Sequence, residues 1–283
     1  MSADAIEVSS PPVGSSRSPA QSRSKPLSGV PVLEARPGDA PSRFSKLVGA
    51  ENPVRVFLAA LLSGYALVVG LMVLLGFALI ELLLPVGGIA DADQDAVEWL
   101  ADRRSPFLED LSWVGSTLAG GVVIPAVIGL CLLAFLAMRR WRLAAFVLLA
   151  VAFESGVYRV VTEIVSRDRP DVKRLESLPV DHSYPSGHTA ASIALYGGLL
   201  FLLASKMRST AITVAVLVLG VAIPVFVAWA RLYRGMHHPT DTVAGVVLGL
   251  GALTVLVFAS RAAGAAAGRR SSRRDELTKE VSA

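Results

Sequence analysis

Six long apolar runs, separated by short polar segments, dominate the hydrophobic pattern of this chain between residues 54 and 262. Each run comes close to or exceeds the ~20 residues that an α-helix needs to cross the hydrocarbon core of a bilayer. The pattern therefore predicts an all-α integral membrane bundle of six transmembrane helices. The predicted spans are residues 54–84, 121–139, 142–165, 187–205, 209–230 and 240–262.

Three further segments complete the predicted organisation. Residues 91–118 are less hydrophobic and mix apolar with acidic side chains, which predicts an insert of short helices that lie at the interface or cap the bundle. Residues 1–48 are rich in Ser, Pro, Ala and Arg without hydrophobic periodicity and are predicted to be a disordered tail. Residues 264–283 are predicted to be a flexible basic tail, which leaves 49–263 as the membrane domain.

Charge is scarce and unevenly distributed. Only 18% of the 283 residues are charged, against roughly 25% in soluble domains. The basic loops 139–142 and 206–208 are predicted to be cytoplasmic, and the acidic insert to be outside. Loops 166–186 and 231–239 then also lie outside, although they are rich in arginine. This departure from the charge rule indicates that their arginines serve a separate purpose.

Those two loops hold the residue types that phosphoryl transfer requires. Pro185-Ser186-Gly187-His188 stands at the start of the fourth predicted span. Ser186 is a good helix N-cap, and Gly187 lets the backbone approach a ligand closely. The unpaired amides at a helix N-terminus form a phosphate cradle, and His188 in the first turn can protonate a leaving oxygen.

A second group of candidates precedes the sixth predicted span. His237 lies before Pro239, a residue that suits the first helical turn, and Asp241 lies just inside the helix. A carboxylate at this spacing can bind one ring nitrogen of His237 and leave the other free as a nucleophile. Arg169 and Arg231 would neutralise charge on the transferring group.

These stretches resemble the type 2 phosphatidic acid phosphatase superfamily, membrane lipid phosphatases that share an active site with vanadium haloperoxidases. The family pattern is K-x6-R-P, then P-S-G-H, then S-R-x5-H-x3-D. The matching residues are Arg169-Pro170, Pro185 to His188, and Arg231 with His237 and Asp241. The motif region covers about 75 residues, and the six-span layout extends the resemblance over most of 54–262.

The resemblance implies a phosphohistidine mechanism without metal or cofactor. In that mechanism His237 attacks phosphorus, Asp241 orients it, and His188 donates a proton to the leaving group. The phosphoryl oxygens would be held by Ser186, Gly187, Arg169 and Arg231. Arg167 matches a frequent extra arginine of the first motif. Two roles stay open for it: contact with the substrate, or a salt bridge within the loop.

This chain departs from the family pattern at two positions. Ala230 stands where serine is usual, a small change, and Thr162 stands where the first motif has lysine. Arg159, one helical turn away, is a candidate substitute for that cation, as are Lys173 and Arg174. The alternative for Arg159 is an ion pair with Glu163 within the bundle.

The function expected from these observations is hydrolysis of a lipid phosphate in the bilayer, at a site on the extracytoplasmic side of a multi-pass cell-membrane protein. Candidate substrates are a polyprenyl diphosphate such as the cell-wall carrier lipid, phosphatidic acid and phosphatidylglycerol phosphate. No nucleic-acid partner is expected, and the oligomeric state is not predicted. The alternative is a catalytically impaired membrane scaffold or transporter of the same fold. A haloperoxidase is disfavoured because those enzymes are soluble.

Overall fold

The computed structural model describes residues 30–177 and 181–282, and the described residues form helices and connecting loops without a β-strand. The helices are α1 (Ala40–Leu47), α2 (Pro53–Phe77), α3 (Ile89–Ala101), α4 (Pro106–Leu118), α5 (Val123–Ala137), α6 (Trp141–Ile164), α7 (Gly187–Ser192), α8 (Gly198–Ala204), α9 (Thr210–Tyr233) and α10 (Pro239–Val281). Wider helical turns extend α2 through Leu83 and join α7 to α8. The predicted all-α class is confirmed.

Five helical stretches in the described chain are long and apolar enough to cross a membrane, and a bent pair supplies a sixth. The five are Pro53–Leu83, Trp141–Ile164, Gly187–Ala204, Thr210–Tyr233 and Pro239–Val281. The predicted span 121–139 corresponds to α5, which has only 15 residues and follows α4 at an angle of 47°. The break falls at Gly120 and Gly121, because glycine is a poor helix former.

Helix α10 is central to the bundle and packs against α1, α2, α6 and α7. The core side chains between these helices include Met72 from α2, Val157 from α6, and Leu248 and Leu256 from α10. Small residues allow close helix approach: a Cβ on Gly64 would lie 2.4 Å from Val255 of α10. Such small-residue contacts are typical of membrane helices, whose association depends on close packing.

The insert caps the bundle at the end where α9 finishes and α10 begins. Both α3 and α4 contact α9. The loop between them is tied to α9, because the amide of Ser105 donates to the hydroxyl of Tyr233 at 3.0 Å and Arg104 donates to its carbonyl oxygen. The insert therefore forms one wall of the region that holds the motif residues.

The two predicted tails differ from expectation where they are described. Residues 1–29 lie outside the described residues, but 40–47 form α1, which packs against the far end of α10. The predicted flexible tail 264–283 is instead helical through Val281. Its alanines suit a helix, and Ala266 is buried beside Val56. Arg269 donates to the carbonyl oxygen of Ser45 at 2.9 Å, which joins the two segments.

Candidate active site

The loop between α9 and α10 brings the motif residues together. Gly235 has φ +70° and allows the chain to turn sharply after α9, while the amide of Met236 donates to the carbonyl oxygen of Arg231 at 3.0 Å. Pro239, three residues after Met236, starts α10. This turn carries His237 back over the end of α9, which explains the spacing of the third motif.

The starts of α7 and α10 pack directly against each other. The amide of Ser186 donates to the carbonyl oxygen of Asp241 at 3.0 Å, and a Cβ on Gly245 would lie 2.5 Å from the carbonyl oxygen of Ser186. The contact brings His188, in the first turn of α7, to the same end of the bundle as His237. Two of the three predicted motifs therefore converge through a backbone contact.

His237 is buried, with 2% of its surface exposed, and its ring is held by one hydrogen bond. Nδ1 lies 2.7 Å from the carbonyl oxygen of Ser183, and since a carbonyl can only accept, Nδ1 carries the proton. Burial, followed by the positive charge of Arg231, holds the pKa of His237 well below its ordinary value. The neutral ring therefore carries its lone pair on Nε2.

Asp241 forms different contacts from those predicted. One carboxylate oxygen accepts from the amide of His238 at 2.8 Å and lies 3.3 Å from the ring Nδ1 of that residue, and the other accepts from Arg167. A carboxylate at the third position of a helix turns back to the N-cap amide, which is why it caps α10. Ser183, rather than Asp241, thus binds the ring nitrogen of His237.

Arg167 lies in a buried salt-bridge network. Its guanidinium donates to Asp93 at 2.6 Å, to Thr240 at 2.7 Å and to Asp241. Two carboxylates neutralise its charge. Of the two alternatives left by the sequence, the structure has the salt bridge, and it joins the insert to the start of α10.

Arg231 is fully buried and has nitrogen atoms without partners. Its Nη1 donates to Ser116 Oγ and to Glu176 Oε2, each at 2.5 Å. Nε and Nη2 are buried and form no hydrogen bond within the described chain. A buried guanidinium with unused donors is suited to binding an anion. Its charge also acts on both His188 and His237, so it lies within electrostatic reach of the two rings.

Glu176 joins two arginines of the site. It accepts from Arg231 and from Arg234, and Arg234 also donates to Ser112 at 3.1 Å. Although burial opposes ionisation of Glu176, the charge of Arg231 and then that of Arg234 keep its pKa below the ordinary value. Two arginines share one carboxylate, which leaves an excess of positive charge beside the histidines.

Arg169 contacts the loop that carries His237. Its guanidinium donates to the carbonyl oxygen of Met236, next to His237. Burial lowers the pKa of Arg169, and Tyr158 and Asp241 partly oppose that shift. Arg169 therefore belongs to the same cluster, as predicted from the first motif.

The side chain of Ser186 does not cap α7. Ser186 stands at the N-cap, but its hydroxyl pairs with Thr189 Oγ1 at 2.9 Å rather than with a helix amide. The first amides of the helix are therefore not capped by this side chain. The backbone of Gly187 lies against the ring of Tyr158, so a side chain there would collide with it. The contact with Tyr158 therefore accounts for the glycine at position 187, in addition to the close approach of a ligand that the sequence predicts.

Arg159 and Thr162 lie in different surroundings on α6. Thr162 is buried, whereas Arg159 is exposed on α6 and lines a groove with Gly120 and Ala191. Residues three apart on a helix differ in direction by about 60°, which explains the separation. The described residues also hold no ion pair between Arg159 and Glu163. The ion pair is therefore absent from this part of the chain, and substitution of Arg159 for the motif lysine stays a prediction.

Several residues of the site were missed by the sequence analysis: Asp93, Ser116, Tyr158, Glu176, Ser183 and Thr240. Asp93 and Ser116 come from the insert, far away in sequence from their partners. One signal was available, since Glu176 is an acid within an arginine-rich loop. Within the described ranges, no three His, Cys, Asp or Glu side chains converge in a way that could hold a metal ion.

Comparison with known proteins adds independent observations. Residues 143–264 match the PAP2 superfamily. The chain is 40% identical over 75 residues to an undecaprenyl-diphosphatase of Sulfolobus acidocaldarius, and 28% identical over 132 residues to lipid phosphate phosphatase delta of Arabidopsis thaliana. These alignments cover 26% and 41% of this chain. Each alignment covers only 32% of the length of the relative.

A solved structure has a similar fold. The transmembrane PAP2 type phosphatidylglycerolphosphate phosphatase of Bacillus subtilis superposes with a TM-score of 0.57 at 22% identity. The superposition covers 73% of this chain and 94% of that one. It establishes that the helical arrangement is shared with a transmembrane protein.

Proposed function

We propose that this protein is a membrane phosphatase that hydrolyses a lipid phosphate or diphosphate, as the match of residues 143–264 to the PAP2 superfamily suggests. The observation that carries the proposal is the buried guanidinium of Arg231. Two of its nitrogens have no partner in the described chain, and its charge reaches both His188 and His237. A tetrahedral anion between these groups would accept hydrogen bonds from the arginine and be within reach of both rings.

The proposed reaction passes through a phosphohistidine. Nε2 of His237 attacks phosphorus, so a P–N bond forms while the bond to the leaving oxygen breaks. His188 donates a proton to that oxygen. Water then attacks phosphorus with His188 accepting its proton, the P–N bond breaks, and inorganic phosphate leaves.

The remaining residues of the site bind charge or position the nucleophile. Arg169, Arg231 and the first amides of α7 from Gly187 onward would bind the phosphoryl oxygens. The amide of Ser186 is already bonded to the carbonyl oxygen of Asp241, so Ser186 would contribute by positioning the start of this helix. Asp241 acts indirectly, because it holds Arg167 and the amide of His238 at the start of α10. The arginines and helix amides supply positive charge, so we expect activity to withstand EDTA.

We further propose that the site faces the extracytoplasmic side and that the substrate is a lipid. Basic residues concentrate in the loops 139–142 and 206–208, which belong at the cytoplasmic end by the positive-inside rule. The motif loops follow at the opposite ends of α6 and α9. A lipid would keep its chain in the bilayer while its phosphate reaches the loops.

Among lipids, a polyprenyl diphosphate is the first candidate. One relative with 40% identity over the aligned segment is named an undecaprenyl-diphosphatase. Other similar proteins are named for a lipid phosphate and for phosphatidylglycerol phosphate. Phosphatidic acid and phosphatidylglycerol phosphate are therefore the comparison substrates.

The test is phosphate release from detergent-solubilised protein with each of these lipids, and with soluble phosphate esters as controls. We expect release from a polyprenyl diphosphate by the wild type and none by the His237→Asn variant.

A substrate labelled with ³²P should label the wild-type chain in an acid-labile, base-stable form, as expected for phosphohistidine. Equal release by wild type and His237→Asn would refute the mechanism. No release from any lipid would favour a scaffold or transporter.

A further inference from the structure

The position of the missing motif lysine is buried and carries no charge. Thr162 is 2% exposed, and its hydroxyl forms no hydrogen bond within the described chain. A threonine side chain is also shorter than a lysine by several bonds, so it cannot extend toward Arg169 and Arg231 as a lysine would. The site therefore lacks the donor that the family pattern supplies from α6.

Tyr158 lies one helical turn before Thr162 on the same face of α6. Helical side chains tilt toward the helix N-terminus, so a lysine at 162 would extend over the turn that contains residue 158. The end of such a lysine would therefore come close to Tyr158. Its hydroxyl lies near that of Thr162, although no hydrogen bond of good geometry joins them.

The ring of Tyr158 lies against the phosphate-binding motif. A Cβ on Gly187 would be 2.9 Å from Cε2, 3.1 Å from Cδ2 and 3.2 Å from Cζ of the tyrosine. Because Cζ bears the hydroxyl, the polar end of the ring lies beside Gly187. The ring therefore lies beside the residue that precedes His188, the proposed acid.

Tyr158 is also within electrostatic reach of both proposed phosphate-binding arginines, Arg169 and Arg231. The ring is only partly buried, and its hydroxyl forms no hydrogen bond of good geometry with Thr162, the polar side chain beside it. A phenolic O–H is a good donor to an anionic oxygen. The hydroxyl thus combines an unused donor with a location among the groups that would surround phosphate.

From this geometry we infer that Tyr158 is a substrate-binding residue, whose hydroxyl donates a hydrogen bond to a phosphoryl oxygen and replaces the donor at the lysine position of the first motif. The inference rests on the proposed function for the identity of the anion. A tyrosine supplies one hydrogen bond and no charge, so charge neutralisation is left to Arg169 and Arg231.

The test compares Tyr158→Phe with a matched control, Tyr65→Phe. Phenylalanine keeps the ring that packs on Gly187 and removes only the hydroxyl. Tyr65 also packs on α6, against Phe153 and Gly156, away from the motif residues. Both variants therefore lose a tyrosine hydroxyl beside the same helix.

Affinity for inorganic phosphate is measured on the full chain in detergent, from the rise of the unfolding midpoint with phosphate concentration. We expect Tyr158→Phe to bind phosphate about tenfold more weakly than wild type, and Tyr65→Phe to bind it equally well. If a lipid is hydrolysed, KM should rise more than kcat falls, since the bond forms in ground and transition states alike.

Unchanged phosphate affinity in Tyr158→Phe would overturn the inference, as would a wild-type protein that binds no phosphate. The affinity measurement needs no turnover. A wild type that binds phosphate but hydrolyses no lipid would refute the proposed function, while a tenfold loss in Tyr158→Phe would still support the role of the hydroxyl.

Discussion

The backbone carbonyl of Ser183 accepts a hydrogen bond from Nδ1 of His237 at 2.7 Å. The two residues belong to different loops, 54 positions apart. This bond fixes the tautomer of the imidazole and its orientation, the task that a carboxylate performs in many other sites. A carbonyl brings no negative charge, so it does not favour the imidazolium. The ring is therefore arranged to remain neutral, as the proposed role of His237 as nucleophile requires.

His237 should remain neutral in the free protein well below pH 6.5, its ordinary pKa. Burial and the charge of Arg231 lower the pKa of the ring, so the lone pair on Nε2 persists where an exposed histidine is already protonated. With only four histidines in the chain, NMR of histidine-labelled protein in detergent can follow each ring. The resonance absent from His237→Asn should not titrate between about pH 7.5 and 5.5.

The same NMR titration can be compared between the wild type and a variant of Arg231. Arg231→Gln should move the His237 resonance toward its ordinary pKa, because the second cause of the lowered value is removed. A His237 resonance that titrates near 6.5 in the wild type would contradict the burial and charge that the structure assigns to it.

Asp93 should be required for activity although it lies in the insert. It accepts from Arg167 at 2.6 Å and from the amide of Thr240 at 3.1 Å, so it holds α3 on the start of α10. Asp93→Ala should lower kcat/KM for lipid hydrolysis about tenfold or more, since an unpaired Arg167 would disturb its contact with Asp241. Phosphate release under identical detergent conditions measures the effect.

Asp95 provides the matched control because it is exposed on the same helix. Asp95→Ala should retain wild-type release. Equal losses in the two variants would mean that net acidity of the insert, rather than the contact of Asp93, is important.

The sequence predicted the local parts of this molecule. The apolar runs predicted the spanning helices, and the motif spacing identified Arg169, His188, Arg231 and His237, which the structure brings to one end of the bundle. These features depend on residues within a few helical turns of each other, where 3.6-residue periodicity and helix-end chemistry apply.

Long-range pairing could not be predicted from one sequence. Asp93 reaches Thr240 across 147 positions, and Ser116 reaches Arg231 across 115. Asp241 was assigned to His237 from spacing alone, but helix capping directs it to His238. The helical C-terminal segment was missed for the same reason, since its contacts with Ser45 and Val56 lie more than 200 positions away.

Glu176 should stabilise the folded protein by joining Arg231 and Arg234. Glu176→Gln leaves two buried guanidiniums without their shared carboxylate, and we expect a loss of about 3 kcal/mol. That loss should lower the unfolding midpoint by several degrees at pH 7. The control is Asp181→Asn, which breaks an exposed pair with Arg174 and should leave the midpoint unchanged.

The effect of Glu176 should also depend on pH. Its folded-state pKa lies below the ordinary value of 4.5, so its stabilisation is complete above pH 4.5 and is lost as pH falls through the folded-state pKa. The midpoints of wild type and Glu176→Gln should therefore converge in acid. A difference that stays constant from pH 7 down to about pH 3 would show that ionisation of Glu176 is not involved.

The contact between α7 and α10 should tolerate no side chain at position 245. A Cβ on Gly245 would lie 2.5 Å from the backbone oxygen of Ser186, and neither backbone can move away easily. Gly245→Ala should lower the free energy of unfolding by about 1–3 kcal/mol and reduce phosphate release, because the displaced Ser186 precedes the proposed phosphate cradle.

Gly70→Ala is the control, since a Cβ there meets no atom within 4 Å. Alanine in that helix should leave the unfolding midpoint equal or raise it slightly. If Gly245→Ala matched Gly70→Ala in both midpoint and activity, the two motif helices would not be in the close contact on which the site depends.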